Sequence, residues 1–306
     1  MKRILVILLI SVLLAGCTPK VLETDECFYT FTDSTGYEVV LPQKPQRVAV
    51  LFSSYAEIWN ISGGMVDITV AESIDRGFCD DDVILVDEKS GHTAINTELL
   101  LASKPDIVIG TLDHEVQAEA VRLCRNAGIP AALFRVEGFS DYLKMLKICC
   151  DINENQDNYR KYGTDISTDI TELLSSCPEK DTEVLFVRTG SSARSAKAKT
   201  ADNNFVCRML DDLGVYNIAD NAPVLLDGLS IEEIIKQDPD HIFVTAMGDE
   251  AAAKEYFDSV LNSDGWRDLT AVKEGNVHFL PKESFHYKPN QRWYEAYRYL
   301  YDIIYA

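Results

Sequence analysis

Short apolar runs alternate with helical segments along the chain, and this alternation is interrupted once. In the first half, strand-like runs such as 47–52 and 106–110 are each followed by an amphipathic segment. A polar helical stretch without strand signals fills 155–176, and the alternation restarts with a strand at 183–188. Strand–helix alternation is typical of a parallel α/β sheet. The sequence therefore predicts an α/β protein of two lobes, each with a central, mainly parallel sheet flanked by helices, joined by one long connecting helix.

The first residues have the features of an export signal. Lys2 and Arg3 precede an apolar run, Ile4–Leu14, that is shorter than the roughly 20 residues of a membrane-spanning helix. The run ends in Leu14-Ala15-Gly16-Cys17, which resembles the bacterial lipobox, and this resemblance implies that Cys17 is acylated and becomes the mature N-terminus. An ordinary signal peptide with a chance cysteine is the alternative. The predicted division is a signal peptide at 1–16, a lipidated tether at 17–27, an N-terminal lobe at 28–152, a connecting helix at 153–178 and a C-terminal lobe at 179–306.

Charge and cysteine content exclude some classes of function. The chain has 49 acidic and 29 basic residues, a formal net charge of −20, whereas a nucleic-acid-binding protein needs clustered lysine and arginine to neutralise phosphates. Cysteines other than Cys17 show no CxxC pair and no spacing with histidine that is typical of a zinc site. Cys124, Cys149 and Cys150 fall in helical apolar patterns, so we expect them in the core. The spacing leaves any disulfide pairing open.

A phrase of six residues occurs once in each predicted lobe. Lys104-Pro-Asp-Ile-Val-Ile109 matches Asp238-Pro-Asp-His-Ile-Phe243, and each follows a helix with a glutamate near its start, Glu98 and Glu232. Together with Thr32-Asp33-x-x-Gly36, Pro45-x-Arg47-Val48 and Val272-Lys-Glu-Gly-Asn-Val277, the order of these phrases resembles the helical-backbone substrate-binding proteins of ABC importers. That family includes receptors for vitamin B12, ferric siderophores and haem. The resemblance implies a monomeric, lipid-tethered, extracytoplasmic receptor that delivers its ligand to a membrane permease and its ATPase.

The same resemblance implies a docking function for two glutamates. Receptors of this type present one surface glutamate per lobe to arginines of the permease, and Glu57 and Glu232 match those positions. A capping box, in which the serine caps a helix and a glutamate follows three residues later, is the alternative for Ser54 and Glu57. At the second position Glu233 fits the box with Ser230, which leaves Glu232 for docking.

Loops that follow predicted strands supply candidate ligand-binding residues, because open α/β sheets bind ligands at the carboxyl ends of their strands. These candidates are Ser54 and Tyr55 in the first lobe, and Arg188 and Met247 in the second. The segment 188–199, which includes Lys197 and Lys199, has no acidic residue and suits an anionic ligand. Arg76 is a second candidate cation, although Asp75 adjoins it. A solvated loop is the alternative for 188–199.

In related receptors the loop after the final strand reaches the ligand, and this resemblance implies that the aromatic residues before the last helix belong to the candidate site. His286 and Tyr287 could stack on a ligand or coordinate haem iron or a corrinoid cobalt, and Met247 could be an axial ligand of haem. A packed aromatic plug under the helix is the alternative. The other histidines show no mutual spacing that is typical of a metal site, so we expect no direct metal site other than His286 with haem or a corrinoid.

These observations favour a binding protein over an enzyme. The chain contains no G-x-S-x-G elbow, no HExxH motif and no P-loop. We expect no intrinsic cofactor and a metal-chelate ligand, with a ferric siderophore ahead of haem or a corrinoid. A surface sensing or adhesion lipoprotein with the same fold is the alternative of another class.

Overall fold

Two parallel sheets and a small hairpin form the framework of the protein. The computed structural model describes residues 27–87, 94–190 and 195–305, so the predicted signal peptide and Cys17 lie outside the described residues. The strands are β1 (Tyr29–Thr32), β2 (Glu38–Leu41), β3 (Val48–Val50), β4 (Ile68–Thr69), β5 (Ile84–Leu85), β6 (Ile107–Thr111), β7 (Ala131–Phe134), β8 (Glu183–Thr189), β9 (Ala196–Ala198), β10 (Tyr216–Asn217), β11 (His241–Ala246) and β12 (Val277–Phe279).

Helices follow most strands, as the alternation predicted. They are α1 (Ser53–Ile61), α2 (Ala71–Asp75), α3 (Thr97–Ala102), α4 (Glu115–Asn126), α5 (Phe139–Ile152), α6 (Gln156–Tyr159), α7 (Asp165–Ser175), α8 (Phe205–Asp212), α9 (Val224–Asp227), α10 (Ile231–Gln237), α11 (Glu250–Leu261), α12 (Thr270–Lys273), α13 (Lys282–Phe285) and α14 (Trp293–Tyr305). Among the described residues, no helix is long and apolar enough to cross a membrane.

The two sheets have matching strand orders. The first runs β5-β4-β3-β6-β7 and the second β10-β8-β11-β12, and all these neighbours are parallel. Only β9 departs from the pattern, since it pairs antiparallel with the carboxyl end of β8. Every residue of the central strands β6 and β11 is buried, as expected for parallel sheets covered on both faces. The predicted α/β class with parallel sheets is confirmed.

The repeated phrase has the same local structure in both sheets. Lys104 and Asp238 end their helices in left-handed conformations with φ of 50° and 47°. Two residues later, Asp106 accepts hydrogen bonds from the backbone of Gln46 and Arg47, and Asp240 accepts one from Glu183. Each aspartate therefore ties the start of one central strand to the start of its neighbour. The repeat makes α3 and α10 equivalent helices, and it pairs Glu98 with Glu232.

The predicted connecting helix is helical but not uniform. Between α6 and α7, residues Arg160–Thr164 form a π-helical turn. Gly163 lies in that turn, where a Cβ atom would stand 2.9 Å from the Leu143 side chain of α5. α7 buries an apolar stripe at Ile166, Ile170 and Leu173. The domain boundaries at 152/153 and 178/179 remain predictions from the sequence.

The cysteines of the described residues are all free thiols. Cys124, Cys149 and Cys150 are buried in the core, as predicted. Burial raises the pKa of the Cys124 and Cys150 thiols to about 11. These side chains therefore pack as small apolar groups.

Candidate functional site

A cavity of about 710 Å³ opens where the carboxyl ends of the central strands of both sheets meet. Its volume is within the usual range for small-molecule sites, about 300–1,000 Å³. The lining residues include Phe52 after β3, Leu112 after β6, Met247 after β11, and Arg188 near the end of β8. Position and size make this cavity the candidate site.

The structure places four of the predicted ligand-binding residues at the cavity wall. They are Arg188, Met247, His286 and Tyr287. The Arg188 guanidinium has no hydrogen bond or ion pair within the part of the chain that the structure describes. Burial lowers the pKa of Arg188 below its ordinary value, and the nearby Glu137 carboxylate acts in the opposite direction. Arg188 still carries its charge at neutral pH, so it can pair with an anionic group in the cavity.

His286 is neutral at physiological pH. Burial lowers the pKa of its imidazole to about 4, and the charges of Lys282 and Arg188 add to this effect. A neutral imidazole can accept a hydrogen bond or coordinate a metal through a ring nitrogen. His286 can therefore contact either the organic part or the metal of a chelate.

Arg76 supports the cavity wall from behind. Its guanidinium lies between the rings of Phe78 and Tyr287, 4.7 and 3.9 Å from their centres. Its Nη1 donates to the hydroxyls of Ser53 and Ser54, at 3.0 Å each. Arg76 does not line the cavity, so its position differs from the prediction of direct ligand contact. What it does is hold the Tyr287 ring in place by a cation–π contact.

Ser54 and Tyr55 also lie away from the cavity, contrary to prediction. Both are fully buried in the first turn of α1, and the Tyr55 hydroxyl donates to the backbone carbonyl of Phe134 at 3.2 Å. The helix begins at Ser53, only two residues beyond the end of β3, and its first turn buries both side chains in the core. Phe52, the residue before the helix, takes the cavity position instead.

The basic segment contributes less to the cavity than its composition suggested. It folds back as β9, where exposed Lys197 stands opposite Arg188 in register. Neither Lys197 nor Lys199 lines the cavity. Burial lowers the pKa of Lys199, and the positive charges of Arg188 and Lys197 lower it further. Opposite residues of an antiparallel pair point to the same face of the sheet, so the pairing of β9 with β8 places Lys197 beside Arg188 but outside the cavity lining.

Sequence reasoning missed a network of charged residues that crosses the cavity. The Lys288 ammonium lies 3.2 Å from a Glu137 carboxylate oxygen and 3.9 Å from one of Asp113. Arg135 pairs with Asp113 at 3.4 Å. Asp113, Arg135 and Glu137 all follow the carboxyl ends of β6 and β7, so the strand-end rule that selected Arg188 could have found them.

Glu57 is buried, and its predicted position on the docking surface is wrong. Only 3% of the residue is exposed, and its carboxylate accepts hydrogen bonds from Arg292 at 2.7 and 3.3 Å and from Asn290 at 2.7 Å. The alternative capping box does not form either, because the residue before α1 is Phe52 and no side chain caps the helix. By contrast, Glu98 and Glu232 are both exposed near the starts of the equivalent helices α3 and α10.

In residues 27–87, 94–190 and 195–305, no three His, Cys, Asp or Glu side chains are placed so that they could hold a metal ion.

Comparisons with known proteins agree with this geometry. The periplasmic binding protein family matches residues 48–284. The chain belongs to this family. Among curated proteins it is similar to the "uncharacterized ABC transporter substrate-binding lipoprotein YvrC" of Bacillus subtilis, with 25% identity over 291 residues, 89% of this chain and 87% of the relative.

Solved structures of periplasmic binding proteins share the fold. The siderophore-binding protein BauB, bound to ferric iron and two acinetobactin molecules, is 15% identical with a TM-score of 0.69, over 88% of this chain and 97% of that one. The haem-binding protein RhuT of Roseiflexus is 18% identical with a TM-score of 0.67, over 85% and 97%. At these low sequence identities, the structural similarity shows that the chains share a fold.

Proposed function

We propose that the protein is an extracytoplasmic, lipid-anchored substrate-binding protein of an ABC importer, and that it binds a ferric chelate, a siderophore first, between its two sheets. The observation that carries this proposal is the cavity at the facing strand ends, with Arg188 in its wall and no side-chain partner for Arg188 among residues 27–87, 94–190 and 195–305. The family match and the likeness to YvrC support the assignment to import. The likeness to BauB supports a ferric siderophore as cargo.

The cavity wall suits an anionic, partly aromatic chelate. Arg188 offers a positive charge that has no ion pair within the described part of the chain, while Phe52, Phe205, Phe285 and Tyr287 offer apolar and aromatic surface. Lys288 and Arg135 are already paired with carboxylates, so they contribute shape and fixed dipoles more than free charge. Such a wall would bind a chelate whose negatively charged oxygen donors face Arg188.

Haem is the second candidate cargo, and His286 is the observation in its favour. Its neutral imidazole lines the cavity and could coordinate iron without first losing a proton. Likeness to RhuT is consistent with this alternative.

Docking to the permease would use Glu98 and Glu232. The sequence repeat makes them equivalent, both are exposed, and each lies in the first turn of its helix. Exposed carboxylates steer encounter and fix the register of a transient complex. Cys17 would supply the lipid anchor that keeps the protein close to the permease.

A ligand panel tests the binding function. Protein without residues 1–17 is titrated with ferric catecholates, ferric hydroxamates, haemin and cobalamin, and intrinsic fluorescence is recorded. We expect quenching at micromolar concentrations by at least one ferric chelate. No response to any member would refute the iron-complex assignment. A Soret band that is lost in the His286→Ala variant would select haem over a siderophore.

An uptake assay tests the docking surface. Glu98→Lys and Glu232→Lys should each reduce uptake of the bound chelate in cells that carry the cognate permease, because arginine partners would then meet a positive charge. Affinity of the purified variants for the chelate should be unchanged. Normal uptake by the double variant would exclude these residues from docking.

A further inference from the structure

The segment just before the last helix belongs to one half of the chain by sequence and to the other half by contact. We call residues 286–292 the C-terminal clasp. It follows β12 and α13 of the second sheet. Yet its Tyr287 packs on Arg76 and its Lys288 pairs with Glu137, and these two partners, Arg76 and Glu137, belong to the first half of the chain.

The innermost anchor of the clasp is Glu57. Arg292 donates two hydrogen bonds to its carboxylate and Asn290 donates one, while the same Asn290 amide also lies 2.8 Å from the carbonyl oxygen of Ser54. Asn290 is fully buried, and its left-handed backbone, with φ of 54°, turns the chain at this point. One buried carboxylate thus holds both ends of a single turn at 290–292.

The cargo-facing part of the clasp ends two residues before Asn290. His286, Tyr287 and Lys288 line the cavity, and Pro289 connects them to Asn290. The connection is a single proline, and because its ring fixes φ, Lys288 can move little relative to Asn290. The position of the three lining side chains therefore depends on where Glu57 holds Asn290 and Arg292.

A buried ion pair is weak evidence for stability, since apolar residues of similar volume often stabilise as well or better. Such a pair is better explained when it selects one arrangement of the chain. Here the pair of Glu57 and Arg292 selects the position of the cavity-lining residues 286–288.

We propose that Glu57 is a positioning residue for cargo binding: through Asn290 and Arg292 it fixes the C-terminal clasp against the first half of the chain, so that His286, Tyr287 and Lys288 face the cargo. This inference rests on the proposed binding function for its last step. The clasp itself can be tested without any cargo.

The first test is hydrogen–deuterium exchange of the unliganded protein, read by peptide mass spectrometry. In Glu57→Gln, Arg292 loses its counter-charge, and we expect exchange in the peptide covering 286–292 to rise by about tenfold, with β8 and β11 unchanged. Arg292→Lys keeps the charge but loses one hydrogen bond, so its effect should be smaller. Unchanged exchange in the clasp, or a uniform rise across both sheets, would overturn the proposal.

The second test measures affinity for the ferric chelate that quenches the wild-type protein. Glu57→Gln should weaken binding by about tenfold. The matched control is Glu119→Gln, which removes an exposed ion pair with Arg122 on α4 and should leave affinity unchanged. Wild-type affinity in Glu57→Gln would overturn the positioning function. If no chelate binds the wild-type protein, the proposed function fails, and exchange alone decides whether the clasp is held by Glu57.

Discussion

The two sheets share a strand order, but an arginine of the first half and an arginine of the second half differ in the partners they have within the protein. In the first half, Arg125 donates to buried Asp33 and to the carbonyl of Ala131, and its guanidinium lies 3.8 Å from the ring centre of Tyr37. In the second half, Arg188 has no such partner within the described residues. A guanidinium that donates to buried groups of the protein holds the fold together, whereas one at a cavity without a partner in the described residues is available to a ligand. The comparison predicts that mutations at the two sites act on different properties.

The largest effect should come from Asp33→Asn. Burial alone would raise the pKa of the Asp33 carboxyl, but hydrogen bonds from Thr35, Leu133 and Tyr37 lower it overall, so the carboxylate is the form that the fold stabilises. Removing the charge leaves Arg125 nearly buried without its counter-ion, and we expect the free energy of unfolding to fall by about 3–5 kcal/mol. Urea denaturation would measure this change.

Chelate affinity of Asp33→Asn should stay at the wild-type value, because the pair lies away from the cavity wall. A double-mutant cycle with Arg125→Met supplies the control, since the second change should cost little once the first is made. Simple additivity in that cycle would contradict the coupling.

Arg188→Gln should show the opposite pattern. Charge-assisted hydrogen bonds contribute about 1.5–3 kcal/mol, so loss of Arg188 should weaken chelate binding by roughly 10- to 100-fold. Stability should not fall, because the variant removes a half-buried charge that has no partner in the described structure. Fluorescence titration and urea denaturation of the same preparation test both statements. A destabilised variant with normal affinity would make Arg188 a structural residue like Arg125.

The two sheets should also differ in how strongly acidic pH destabilises them. His241 and His278 approach to 3.2 Å at the amino end of the second sheet, whereas the repeat places Ile107 at the position of His241 in the first. Burial, and then the charge of His241, lowers the pKa of His278 from 6.5 to about 4. Burial and Lys180 also lower the pKa of His241, while Asp240 and Glu274 act in the opposite direction.

Because the unfolded chain takes up protons at a higher pH than the native pair, stability is complete above pH 6.5 and declines as the pH falls towards 4. We expect a loss of about 1–2 kcal/mol, less than the full shift implies, since the His278 ring is partly exposed and screened by solvent, whereas His241 is buried. His241→Ile, which installs the side chain of the first sheet, should flatten this decline between pH 6.5 and 4 in urea denaturation. An unchanged pH profile would exclude the pair as its source.

Local patterns predicted the sheets and part of the cavity. Alternating apolar runs identified the strands, the strand-end rule selected Arg188 and Met247 of the cavity wall, and the family resemblance selected His286. The same reasoning could not place Glu57, because its burial depends on Asn290 and Arg292, more than 230 residues further along the chain. It also misplaced Lys197 and Lys199, since a short basic segment carries no signal that it will pair with β8. The repeat around Pro105 and Pro239 contained the exposed pair Glu98 and Glu232. It therefore identified surface glutamates better than the single motif at Ser54, whose Glu57 is buried.

The smallest effect should come from Lys197→Gln, and it sharpens the meaning of Arg188→Gln. Lys197 stands opposite Arg188 in the β8–β9 register, so both charges are neighbours in one basic segment. Lys197 is exposed and does not line the cavity, however, and the field of an exposed charge is largely screened beyond about 8 Å at physiological ionic strength. We therefore expect less than about a twofold change in chelate affinity at that salt concentration, with a slower association rate only at low salt. If Lys197→Gln weakened binding as much as Arg188→Gln, the net charge of the segment would govern recognition; a large effect of Arg188→Gln alone would assign recognition to the one guanidinium that reaches the cavity.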